Sequence, residues 1–129
     1  MAKIISLFNH KGGVSKTTTT FNLGWALVNK GCKVLMVDGD PQSNLTSLSL
    51  SLPDDSAFER LYNRKDSNDI YSLVERISSS GVGQIGKNEP TSKIIPTNLD
   101  GLYVLPGNLR IEEFSTQITL ALELGRSPQ

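Results

Sequence analysis

An α/β fold built on a parallel sheet is what this sequence predicts, and three observations predict it. Two short apolar runs, Lys3–Phe8 (KIISLF) and Lys33–Val37 (KVLMV), flank a polar, glycine-bearing turn and a helix pattern, all within residues 1–37. Strand, glycine turn, helix, strand is a βαβ unit, which sets its two strands parallel with a right-handed crossover. A helix pattern at Asp69–Ile77 and a strand pattern at Leu102–Leu105 continue the alternation. The 129 residues suffice for one domain and not for two.

Lys3–Phe8 reads as a short buried strand, bounded by the polar and glycine-rich Asn9–Lys16. Thr17–Lys30 reads as a helix with Phe21, Trp25 and Val28 on one face and Leu23 and Leu27 on another. Two apolar faces predict a helix well covered by its surroundings. Gly31 is the natural residue to end it. Cys32, between helix end and strand, is expected to be a small buried thiol, and a single cysteine forms no internal disulfide. Lys33–Val37 is the second buried strand. Pro41 keeps Asp38–Asn44 a loop, and Leu45–Leu50 suits a short helix. Asp69–Ile77 places Ile70, Leu73, Val74 and Ile77 on one side of a helix. Ser78–Ser92, with three glycines, a proline and four serines, reads as a mobile surface loop. Ile94–Ile95 and Leu102–Leu105 are strand candidates. Asn108 then caps a helix expected to run to about Leu124, with Ile111, Phe114, Ile118 and Leu122 as its stripe. Glu112 and Glu113 suit its first turn, and Gly125 ends it.

The 13 basic and 13 acidic residues cancel, so net charge gives no argument for nucleic acid or an anionic membrane as partner. Their order says more. Residues 1–37 hold five lysines and no acid, and residues 38–59 hold five acids and no Lys or Arg. A cationic segment followed by an acidic one suits a site for phosphates and then a metal ion, although short windows also produce such runs by chance. Ile4–Phe8 is too short for a signal peptide, and no run approaches a membrane span. The expectation is a soluble, cytoplasmic protein.

The chemistry is concentrated in His10-Lys11-Gly12-Gly13-Val14-Ser15-Lys16-Thr17-Thr18, between a strand and a helix. In that position consecutive backbone N–H groups can surround phosphate oxygens. Gly12 and Gly13 permit the close backbone approach this needs. Lys16 would sit on the β- and γ-phosphates, Thr17 would offer its hydroxyl to Mg²⁺, and Thr18 would reach the α-phosphate. The strict P-loop pattern G-x-x-x-x-G-K-[ST] fails at both glycines, since His10 and Ser15 stand there. A plain connecting turn is the bland alternative, and it does not account for Lys16 or the run Thr17–Thr20.

A second constellation, Val37-Asp38-Gly39-Asp40-Pro41-Gln42-Ser43-Asn44, lies at the end of the second strand. Ligands of open parallel sheets bind outside the carboxyl ends of strands, so Asp38 and Asp40 should face the same site. Carboxylates there can hold Mg²⁺ and orient a water. Alone, the segment is equally a solvated acidic turn.

Together these segments resemble the ParA-type partition ATPases of the ParA/MinD group. KGGVSKTT is similar to their deviant Walker A motif, and VDGDPQSN to their V-D-x-D-P-Q stretch. The Asp69–Tyr71 helix start and LYVLPGN also look like family elements, so the resemblance covers nearly the whole chain. It implies a P-loop NTPase with a doubly wound parallel sheet, incomplete in this chain. It implies ATP and Mg²⁺ as cofactors, with Lys11, Gly12, Gly13, Val14, Ser15, Lys16, Thr17 and Thr18 around the nucleotide. Thr17 and Asp38 would lie at the metal, and Lys11, Lys16 and Asp40 would serve hydrolysis. Lys11 is the family's signature lysine, which reaches the partner's phosphates across an ATP-dependent homodimer. Asp40 matches the aspartate that positions the attacking water. Family members usually carry Gly where Ser15 stands, and its Cβ restricts the turn.

The resemblance also implies an ATP-hydrolysing switch for plasmid or chromosome partition, with a ParB-like adaptor and non-specific DNA bound through regions outside this chain. A MinD-like ATPase with another cargo is the alternative, as is a nucleotide-binding fragment without activity. A dinucleotide oxidoreductase lacks its G-x-G-x-x-G here. Residues 1–129 are expected to be the N-terminal part of a single P-loop ATPase domain. The Walker B strand and later strands would follow Gln129, leaving the 129 residues with an exposed sheet edge and negligible turnover of their own.

Overall fold

The structure is a computed structural model, and it describes residues 1–9, 12, 15–62, 69–80 and 94–116. Its elements are α1 (Lys16–Asn29), β1 (Val34–Val37), α2 (Asn44–Leu50), α3 (Asp55–Tyr62), α4 (Ile70–Ser80), β2 (Ile95–Pro96) and β3 (Leu102–Leu105). Residues 111–116 are also helical. α1 ends as its sequence predicts. Gly31 takes φ +85°, its N–H donates to the Val28 carbonyl at 2.8 Å, and the Cys32 N–H donates to the Leu27 carbonyl at 3.1 Å. This paired bonding closes a helix through one left-handed residue, which glycine adopts without a Cβ penalty. The turn sends the chain back so that α1 packs along β1.

The sheet has the order β1-β3-β2. β1 and β3 pair in parallel, from Val34 opposite Leu102 to Val37 opposite Leu105. β2 pairs antiparallel with β3, Ile95 opposite Val104. Met36, Leu45, Leu102 and Val104 form the core, with Phe21, Val28, Val34, Leu50, Ile95 and Leu99 packed against it. Gly24 is the buried residue of α1, and it faces Met36 and Leu102.

Several expectations are corrected. Lys3–Phe8 forms no strand: Ile4 is 95% exposed and Phe8 80%. A strand apolar at nearly every position gains from burial only when both of its faces are covered. Here α1 covers one face, while Leu35 and Val37 on the other stay 48% and 50% exposed, and nothing among the described residues covers them. The parallel pair is therefore β1 with β3, across α2, α3 and α4, and not Lys3–Phe8 with β1. The same one-sidedness leaves Leu23 and Trp25 of α1 exposed. Cys32 is also exposed, in the turn after the helix rather than in the core.

α3 was not expected from the sequence. Asp54 creates it, accepting from the Ala57 N–H at 2.9 Å and the Ser56 hydroxyl at 2.6 Å, a side-chain cap on the first turn. Ser78, Ser79 and Ser80 belong to α4 and not to a loop. The rest of the expected loop, 81–92, and the expected helix beyond 116 lie outside the described residues.

Burial sets the energetics. Leu102→Ala is expected to lower unfolding free energy by about 2–5 kcal/mol, the range for a truncated core leucine. Leu35→Ala, on the open face, should cost well under about 1.5 kcal/mol because little area leaves water there. Urea denaturation of the two variants checks the contrast.

Candidate functional site

Because α1 returns along β1, its N-terminus shares one end of the molecule with the carboxyl ends of β1 and β3. That is where ligands of such sheets bind. Ser15 precedes α1 in the left-handed conformation, φ 58° and ψ 23°. A non-glycine residue there costs about 1–2 kcal/mol. Its carbonyl accepts the Thr19 N–H at 2.9 Å. No side chain caps the helix, and no acid stands in its first turn. Lys16 and Thr17 are half-buried and Thr18 is exposed. Lys16 Nζ donates to the Asn9 carbonyl at 3.3 Å. Gly12 is exposed, with open space where a Cβ would stand. His10, Lys11, Gly13 and Val14 lie outside the described residues.

The two aspartates after β1 part company. Asp40 is exposed, and its Oδ1 accepts the Gln42 N–H at 3.0 Å. Asp38 is 2% exposed. Its Oδ2 accepts both the Thr46 N–H at 2.8 Å and the Thr46 hydroxyl at 2.6 Å. Its Oδ1 faces the Asp40 N–H at 3.2 Å. Asp38 is turned inward, where Thr46 at the start of α2 offers it two donors.

The third segment is the turn Pro106–Asn108 after β3. The Gly107 N–H donates to Thr46 Oγ1 at 2.8 Å, and Tyr62 Oη donates to the Gly107 carbonyl. The Ile70 N–H donates to the Pro106 carbonyl at 2.8 Å. Asn108 Nδ2 donates to Asp69 Oδ2 at 2.9 Å, while Asp69 Oδ1 accepts the N–H and hydroxyl of Ser72 and so caps α4. Three helices are thus bonded to one turn. Sequence reasoning missed Thr46, Tyr62, Gly107 and Asp69 as parts of one network. The only local signal was Asp69 three residues before Ser72, a cap pattern.

Beyond the turn, Arg110 lies 4.1 Å over the Tyr71 ring and pairs with Glu113 at 3.0 Å. The Arg110 hydrogen bond holds the Glu113 carboxyl below the usual carboxylate range, and Tyr71 adds to it.

The donor set at the start of α1 fits a phosphate chain: backbone N–H groups at a positive helix end, the Lys16 ammonium, and the Thr17 and Thr18 hydroxyls. For a divalent cation, the Thr17 hydroxyl, the exposed Asp40 and the buried Asp38 carboxylate are of suitable type. No group of three or more His, Cys, Asp or Glu that could hold a metal occurs among the described residues.

The described α/β fragment, with its partial three-stranded sheet, is part of a P-loop nucleoside-triphosphatase fold, as its solved neighbours show. The profile of the AAA domain matches residues 2–125, and the chain belongs to that family, in its ParA/MinD-type branch. An uncharacterised protein of Mycobacterium tuberculosis is 40% identical over 126 residues, 97% of this chain and 33% of that protein. Sporulation initiation inhibitor protein Soj of Bacillus subtilis is 60% identical over 47 residues, 36% of this chain and 19% of Soj. Cobyrinic acid a,c-diamide synthase of Mycobacterium smegmatis, solved with ADP and magnesium, superposes with a TM-score of 0.59 at 29% identity, over 87% of this chain and 37% of that one. A plasmid partition protein of Borrelia burgdorferi gives 0.55 at 26% identity, over 92% of this chain and 47% of that one. The chain spans 26% to 33% of the length of the relatives that it matches over nearly all its residues.

Tyr62 tests the turn. Burial pushes its phenol above the usual value, a hydrogen bond from Ser43 partly offsets this, and the Asp69 and Asp38 carboxylates add to the rise. The fold therefore favours the neutral phenol. That stability is complete below the unfolded value of about 10 and is lost as pH rises through the folded value. Tyr62→Phe is expected to cost about 0.5–1.5 kcal/mol at neutral pH. It should also remove a phenol that titrates above the usual value from an ultraviolet difference titration. Denaturation at neutral pH and the alkaline titration check the two effects.

Proposed function

We propose that this chain is the nucleotide-binding part of a single P-loop ATPase domain that binds ATP with Mg²⁺, hydrolyses it, and switches between monomer and homodimer during plasmid or chromosome partition. The observation that carries this reading is the start of α1. There a left-handed Ser15 leads into Lys16 and Thr17 with no acid in the first turn. The similarity to Soj and to the plasmid partition protein supports the partition setting.

In this reading the backbone of Gly12, Gly13, Val14 and Ser15 cradles the phosphates. Lys16 neutralises the β- and γ-phosphates, and Thr18 bonds the α-phosphate. Bound Mg²⁺ would supply charge to offset that developing on the phosphates, with Thr17 as its protein hydroxyl. Lys11 reaches the partner copy's phosphates, and Asp40 orients the attacking water. The partners are a second copy of the chain, a ParB-like adaptor and non-specific DNA, all in the cytoplasm. No helix among the described residues is long and apolar enough to cross a membrane.

Lys16→Ala is expected to weaken binding of a fluorescent ATP analogue at least about 10-fold, roughly 1.4 kcal/mol. Wild-type affinity in that variant would contradict the phosphate-loop assignment. Lys11→Ala should keep first-encounter binding and lose the ATP-dependent mass increase in light scattering. An unchanged mass response would remove the cross-dimer role.

A further inference from the structure

α3 is held differently from the other helices. Most of its side-chain bonds are local: Asp54 accepts from the Ser56 hydroxyl and the Ala57 N–H, and Arg60 Nη1 donates to Ser56 Oγ. Asp55, Ser56, Glu59 and Arg60 are exposed. Among the described residues, Tyr62 is where α3 bonds to the rest of the molecule. Its Oη donates to the Gly107 carbonyl and accepts from the Ser43 hydroxyl. At its other end α3 joins α2 through Ser51, Leu52 and Pro53. Ser51 is exposed and left-handed, φ 52° and ψ 44°, and its N–H stands 3.4 Å from the Leu48 carbonyl. An L side chain disfavours that backbone. A strained residue at the end of an element is a place where a hinge can absorb a change in φ and ψ.

Beside Tyr62 lies a cleft of about 240 Å³ lined by Pro41, Gln42, Ser43, Tyr62 and Leu109. Ser43 and the Asp38 carboxyl group both lie against Gly107, since a Cβ built there would stand 2.7 Å from Ser43 Oγ and 3.0 Å from Asp38 Cγ. Tyr62 bonds to Ser43 and to Gly107, so its phenol closes the cleft at the point nearest Asp38. Asp38 is 2% exposed behind it. Its Oδ1 takes the Asp40 N–H at 3.2 Å and keeps a lone pair for a further partner.

We infer that α3 is a strap, hinged at Ser51 and latched by Tyr62 on the Gly107 carbonyl, and that its release opens the cleft and uncovers the Asp38 carboxylate to a divalent cation. The strap is a property of the chain without ligand. Only the access of a cation to Asp38 rests on the nucleotide-binding reading. The latched state withholds Asp38, so apparent cation affinity is reduced by the fraction of molecules that are unlatched.

The test uses the single, exposed cysteine. Spin labels on Cys32 and on a Glu59→Cys variant report the distance between the end of α1 and α3. Without ligand, adding Tyr62→Phe should shift or broaden that distance by about 5 Å or more, one helical turn. Adding Ser51→Gly, which removes the cost of the left-handed turn, should return it toward the wild-type value. In unlabelled protein with an ATP analogue, Mn²⁺ replaces Mg²⁺ and its free concentration is read by paramagnetic resonance. Tyr62→Phe should lower the Mn²⁺ midpoint about 3-fold or more. Combining it with Asp38→Asn should cancel that gain. Leu109→Ala, in the same cleft but outside the latch, should leave distance and midpoint unchanged. Unchanged distances in both Tyr62→Phe and Tyr62→Ala would overturn the strap, and Tyr62→Phe alone decides if the alanine variant does not fold. A displaced α3 with an unchanged Mn²⁺ midpoint would overturn the uncovering of Asp38. If the wild-type protein binds no ATP analogue, the functional reading falls, and the ligand-free distances still decide the strap.

Discussion

The buried chain Gly107 N–H to Thr46 Oγ1 to Asp38 Oδ2 is the interaction on which this end of the molecule depends. Each member is chemically specified. A Cβ at 107 would press on Ser43 Oγ and on the Asp38 carboxylate, so one of them would have to shift. Thr46 must both accept and donate through one oxygen. Asp38 must take two donors on a single oxygen, which a carboxylate does best. Hydrogen bonds to a charged group contribute about 1.5–3 kcal/mol each, and breaking one here would strand a buried partner. The chain joins the parallel pair β1 and β3 at their carboxyl ends, where strand pairing alone would leave two loops free to move apart.

From that joint the rest of the arrangement follows. α3 and α4 reach the same turn through Tyr62 and Ile70, and Asn108 links it to the cap of α4. The Asp40 loop is held from beneath, so an exposed carboxylate is presented on a fixed base. α1 brings its positive end to the same region because Gly31 folds it back on β1. A phosphate-sized anion would meet a helix end already free of competing acids.

Features governed by short-range rules were legible in the sequence. Gly31 ends α1, apolar spacing marks α4 and β3, and Lys16–Thr18 stand where a helix opens. What was not legible depended on partners far along the chain. Lys3–Phe8 reads as a strand by composition, but burial on both faces is a tertiary property that this sheet does not provide. Asp38 and Asp40 look alike in the sequence. Their difference is set by Thr46, eight residues on, and by Gly107, which only the folding of β3 beside β1 brings near. α3 was hidden because its apolar spacing, Ala57, Phe58, Leu61 and Tyr62, runs over only eight residues, too short for period alone to mark it.

The central claim is that phosphates bind at the start of α1, beside the Asp40 loop. Amide chemical-shift mapping with an ATP analogue and Mg²⁺ tests it most directly. The account predicts that the largest changes fall on the amides of Gly12 and Ser15–Thr18, with smaller ones at Gly39–Ser43. Changes centred elsewhere, such as on α4 or on the open face around Leu35 and Val37, with Ser15–Thr18 unmoved, would contradict it.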